Sequence, residues 1–170
     1  MAAVIGAFVL PILLAWGTVF GFLPDWLSGR LNNGTLLPEG STLPVADATA
    51  APLERVFGQW SVLVLTTPDC VAPCRLDDAM LHRFAQAIAV DGERVSIYRA
   101  GAHNLTPAGV RALPMSESER QAIAALVSGT TLDALIVDYQ RRPVLAYPAP
   151  AEPAAILRDL RRLLRASRAP

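Results

Sequence analysis

The sequence predicts an α/β sandwich behind a single membrane-spanning helix, and three observations carry that expectation. No charged residue occurs from Ala2 to Leu23. From Gln59 onward, short β-branched runs alternate with stretches whose apolar residues recur every three or four positions, as strands alternating with helices do. The two cysteines of the chain, Cys70 and Cys74, fall where the first of these strands gives way to the first helix.

The chain has 170 residues, room for one domain plus an anchor, because domains usually run about 100–200 residues around one core. Its 15 basic and 15 acidic residues cancel, so no field of the kind that holds nucleic acid exists, and nucleic acid is excluded as a partner. Every basic residue is arginine, which coding bias in a GC-rich genome explains without a functional demand.

Residues 1–24 read as a transmembrane anchor. The uncharged run of about 22 residues spans ~33 Å at ~1.5 Å per residue, enough for a ~30 Å hydrocarbon core. It is longer than the ~7–15 apolar residues of a signal-peptide core and lacks both a basic start and a small-residue cleavage site, so retention is expected. Flanking basic clusters are missing, and the positive-inside rule does not set the orientation. Residues 25–52 hold three prolines and three glycines, directly after Pro24, with no sustained period and read as a linker or extended arm, with Asn33-Gly34-Thr35 as a turn.

Residues 53–170 read as the folded domain. Trp60 to Thr66 is a nearly continuous apolar run, as in a strand buried on both faces. Cys74 to Val90 places Leu76, Met80, Leu81, Phe84, Ala87 and Ile88 at helical spacing, ending at Asp91-Gly92. Arg94 to Tyr98 alternates as a second strand. Ser116 to Leu126 reads as a helix capped by Ser116, with Glu119 as its capping-box partner. Leu132 to Val137, a turn at Asp138–Arg142 and Pro143 to Tyr147 form a hairpin, its second strand at the sheet edge, where proline is permitted. Glu152 to Arg165 puts Ile156, Leu157, Leu160, Leu163 and Leu164 on one stripe, with Arg158, Arg161, Arg162 and Arg165 facing water. The order is a right-handed βαβ unit followed by ββα. This is the core order of the thioredoxin fold, and the expectation is a thioredoxin-like sandwich, β-α-β-α-β-β-α.

Cysteine chemistry follows from this placement. With Pro73 in the first helical turn, Cys70 lies just before the helix, where free N–H groups and the helix dipole favour thiolate over thiol. Cys70 is then the nucleophile and Cys74 its partner, close enough for a disulfide if the Cα atoms come to ~5.5 Å. Two such soft thiolates either exchange disulfides with a client or bind Cu(I), and the spacing does not choose between them. A merely stabilising disulfide closing so short a loop would remove little chain entropy. Copper(II) would want a third ligand, normally imidazole. The candidates are His103, in the loop after the second strand, and His82, two turns into the helix and read as a surface residue. No nucleophile-elbow or acid/base pair competes with the cysteines.

The N-terminal anchor, the Asn33-Gly34-Thr35-Leu36-Leu37 segment, the loop from Thr66 to Arg75 with its CxxxC, the Leu135-Ile136-Val137-Asp138 hairpin, Tyr147-Pro148 and the basic last helix together resemble the Sco/SenC family of cytochrome oxidase assembly proteins. More closely they resemble its small bacterial membrane-bound relatives. The resemblance implies that Cys70 and Cys74 handle copper or reduce the cysteines of an oxidase copper centre. It implies an oxidase subunit or another respiratory membrane protein as partner. It also implies a place in the inner membrane of a bacterium, with the domain on the periplasmic side. The family's distal copper-ligand histidine falls at Thr130 or Thr131 here, which disfavours Cu(II) and leaves Cu(I) and thiol exchange. The alternative is a non-catalytic scaffold or accessory subunit of the oxidase. A general thioredoxin-like reductase normally has CxxC and a proline before the third strand, and Gly129-Thr130-Thr131 supplies none.

Overall fold

The computed structural model describes residues 2–19, 32–41, 58–65, 76–100, 106–127 and 131–167. They fall into two units, Met1–Asn32 and Asn33–Pro170. The first contains helix α1 (Ala2–Val19), with Pro11 inside it and Phe8, Leu10, Ile12, Leu13 and Trp16 all exposed. Its 18 residues give about 27 Å at ~1.5 Å per residue, short of a ~30 Å hydrocarbon core. No helix among the described residues is long and apolar enough to cross a membrane. The expected span continued through residues 20–23, which lie outside the described residues.

In the second unit a six-stranded mixed sheet has the order β1-β6-β5-β2-β3-β4. Its strands are β1 (Thr35–Leu36), β2 (Trp60–Leu65), β3 (Val95–Ala100), β4 (Arg111–Leu113), β5 (Leu132–Val137) and β6 (Pro143–Pro148). Strands β2, β3 and β4 run parallel, while β5 is antiparallel to β2 and β6, and β1 is antiparallel to β6. Three helices flank the sheet: α2 (Asp78–Ile88), α3 (Glu117–Ala125) and α4 (Pro153–Ala166). Alternation along β2 explains the layers. Trp60, Val62 and Val64 meet Leu81, Phe84 and Ile88 of α2 and Ile156, Leu160 and Leu164 of α4 on one face. Leu63 shares the other face with Tyr98, Leu113, Leu135, Leu37 and Ile123 of α3. The expected β-α-β-α-β-β-α order is present, with two short strands added.

Local signals set the helix ends. Asp77 accepts a 2.7 Å hydrogen bond from the Met80 N–H and caps α2, so the described helix starts at Asp78 rather than at Cys74. The capping box expected at Ser116 forms: its N–H donates to Glu119 Oε2 at 2.7 Å and its hydroxyl accepts from the Glu119 N–H. In the β5–β6 turn, Asp138 accepts from the Gln140 and Arg142 N–H groups, 2.8 Å each, while Arg141 takes a positive φ of 66°.

Two expectations are corrected. Of the linker or extended arm expected before residue 53, residues 33–41 are the arm: Thr35 and Leu36 pair with Ala146 and Leu145, and the unit that holds the sheet begins at Asn33 rather than at 53. In consequence β6 is not the edge strand. Pro143 is tolerated because it opens the strand, at an irregularity in the pairing with β5.

Candidate functional site

Strand β2 ends at Leu65, beside Ala100 at the end of its parallel neighbour β3, and the chain is next described at the buried Leu76, just before the Asp77 cap. The connection between them carries both cysteines. It therefore starts from the carboxyl end of a central parallel strand, the end at which open α/β sheets place their binding crevices. Cys70, Pro73, Cys74, His103 and Thr130 lie outside the described residues, as do their mutual distances. Thr131, the other candidate for the missing histidine's position, is exposed, and its carbonyl accepts from the Ala149 N–H at 2.8 Å. His82 sits exposed on α2, 3.0 Å from the Gln86 side-chain nitrogen, as expected of a surface residue.

At the same end of the sheet stands a pair that sequence reading passed over. Arg99, the penultimate residue of β3, is ion-paired to Asp78 in the first turn of α2. The signal was an arginine in a buried strand, at a position whose strand neighbours on the same face, Val95 and Ile97, are apolar. The pair fixes a guanidinium at the positive end of the helix, where it adds to the dipole and Asp78 offsets it.

Among the described residues no cluster of three or more His, Cys, Asp or Glu side chains could hold a metal. A surface cavity of about 410 Å³ opens between α2 and the β3–β4 edge, lined by Ile88, Val95, Ile97, Gly109 and Val110 among others. Its lining among the described residues holds no thiol, imidazole or carboxylate.

A dense polar constellation among the described residues lies elsewhere. Asp159 of α4, 1% exposed, accepts from the Asn33 N–H (2.7 Å), Asn33 Nδ2 (2.8 Å), the Gly34 N–H (3.0 Å) and the Tyr147 hydroxyl (3.0 Å). Burial first, then the Asp159 charge and hydrogen bond, push the Tyr147 phenol well above its ordinary range. With its donors so arranged the cluster is a latch, tying the N-terminal arm to β6 and α4.

Residues 60–167, more than half of the chain, match the family model described as transmembrane-like, thioredoxin-like, C-terminal domain. This chain belongs to that family. The mixed α/β fold described above is accordingly thioredoxin-like. No curated protein matches the chain. Solved structures similar to it include the copper-bound ScoI of Bradyrhizobium japonicum, at 13% identity and TM-score 0.45, covering 64% of this chain and 87% of that one. The copper-bound Sco1 of yeast is similar at 10% identity and TM-score 0.47, covering 67% and 83%. AhpC of Mycobacterium tuberculosis is similar at 16% identity and TM-score 0.46, covering 77% and 92%.

Proposed function

We propose that this thioredoxin-like protein is a membrane-anchored dithiol protein that assists cytochrome c oxidase assembly through Cys70 and Cys74. The observation that carries the reading is topological: both cysteines lie on the one connection that leaves the carboxyl end of β2 and returns at Leu76. Residues 2–23 hold the chain in the inner membrane of a bacterium. Their support is the uncharged run and the apolar helix α1. A periplasmic position of the domain follows from the use of a redox-active cysteine pair in an oxidising compartment.

In the exchange reaction the Cys70 thiolate attacks one sulfur of a client disulfide, forming a mixed disulfide and releasing the other client sulfur as thiolate. The Cys74 thiolate then attacks the Cys70 sulfur. The client leaves as a dithiol, reduced by two electrons, and the chain keeps a Cys70–Cys74 disulfide. With copper as cargo, two thiolates suit Cu(I), a soft ion content with few ligands, whereas Cu(II) would need an imidazole that the Thr130–Thr131 position does not supply.

Anaerobic titration of the reduced full chain with Cu(I) against a competing chelator, beside Cys70→Ser, tests this. Stoichiometric binding lost in the variant supports copper handling. Fast exchange with a client disulfide and no copper binding supports the reductase step. If neither occurs, both chemical roles fall and the scaffold reading stands.

A further inference from the structure

Helix α4 carries four exposed basic residues, Arg158, Arg161, Arg162 and Arg165. Their spacing places them on one stripe, opposite the Ile156, Leu160 and Leu164 face that packs on the sheet. Arg158 Nε donates to the Ala154 carbonyl at 3.3 Å and an Arg161 guanidinium nitrogen to the Ala87 carbonyl at 3.2 Å. Neither bond neutralises a charge, and none of the four is ion-paired among the described residues. The acidic residue within this helix, Asp159, is buried and committed to Asn33, Gly34 and Tyr147. Arg99 and Arg142, by contrast, face Asp78 and Asp138. In a chain of zero net charge the stripe is a local excess of positive charge.

A second observation concerns the tether. The folded unit starts at Asn33, whose backbone and side-chain nitrogens both bond to Asp159, on the flank of α4. Between Val19, the end of α1, and Asn33 stand thirteen residues, 20–32, a chain length of at most about 50 Å fully extended.

We propose that the arginine stripe of α4 docks the domain on anionic lipid headgroups. The inference rests on the anchored reading above, which supplies the bilayer and its proximity. Guanidinium groups pair with lipid phosphates through forked hydrogen bonds, and each basic side chain at an anionic surface strengthens binding about fivefold. The apolar face of α4 is already used by the sheet, so the contact is electrostatic and salt-sensitive rather than inserted.

The test reconstitutes the full chain in vesicles of phosphatidylcholine alone or mixed with phosphatidylglycerol. Arginine modification by phenylglyoxal is then read by mass spectrometry, with Arg111 and Arg142 as internal references. The expected result is modification of the four stripe arginines slowed about fivefold or more by the anionic lipid, with the references unchanged. Protection should vanish near 1 M salt, where the Debye length is ~3 Å. It should also vanish at Arg161 in the Arg158→Gln, Arg162→Gln, Arg165→Gln triple variant. Equal modification in the two vesicle types overturns the docking, as does protection by polyglutamate but not by anionic vesicles. Flotation is scored separately: a chain that does not float with neutral vesicles refutes the anchor, while the comparison of rates in anionic vesicles still decides the stripe.

Discussion

At the scale of single residues, one buried carboxylate ties together three distant parts of the described chain. Asp159 accepts four hydrogen bonds from three residues, and an asparagine there would turn an N–H toward donors and leave part of the set unsatisfied. Asp159→Asn is expected to lower unfolding stability by about 2–3 kcal/mol in urea titrations. Tyr147 adds a pH signature. A phenol held protonated by the fold contributes stability that is intact below about pH 10, its unfolded pKa, and lost as pH rises beyond it. Stability compared at about pH 8 and about pH 11 should therefore fall less in Tyr147→Phe than in the parent. Gly34 meets the same tyrosine: a Cβ there would lie 2.8 Å from the ring, inside contact distance. Gly34→Ala should cost about 1–3 kcal/mol by thermal unfolding, because both the Tyr147 ring and the Ala146 carbonyl stand in its way.

Elements show where sequence patterns suffice and where they do not. Strands β2, β5 and β6 and helices α3 and α4 are legible because each has a strong period or a cap: β-branched runs, the Ser116–Glu119 box, the leucine stripe of α4. The start of α2 is not. Its apolar spacing runs back to Leu76, and only the bond from the Met80 N–H to Asp77 marks where the helix begins. Asp77→Ala should remove that cap at a cost of about 1 kcal/mol, and amide exchange should speed up in the first turn of α2 before it does in α4. Strands β1 and β4, two and three residues long, carry no period to read. They exist because a neighbouring strand offers an open edge, which is information held by β6 and β3.

The whole molecule depends on the segment that composition alone reads as a linker or an extended arm. A fragment of residues 53–170 lacks β1, the buried Leu37 and the three hydrogen bonds that Asn33 and Gly34 give to Asp159. Compared with residues 33–170, it should be less stable by about 3 kcal/mol or more, from lost hydrogen bonds to a buried charge and lost apolar burial, as read from parallel denaturant curves. Equal midpoints would show that the latch contributes nothing to folding.

The linear sequence by itself determined the class of this protein. Its periodicities required strands and helices in the order βαβ then ββα, and its composition put an uncharged helix ahead of them and both thiols at one junction, since these are properties of neighbours along the chain. The tertiary structure decided what depends on distant partners. It made a carboxylate in α4 the receiver of donors from Asn33 and Gly34, set Arg99 against Asp78 at the head of α2, and recruited the arm as a sheet edge. Such contacts join residues as many as 126 positions apart, and no local pattern of hydrophobicity records them because their free energy appears only once the sheet has brought both partners together.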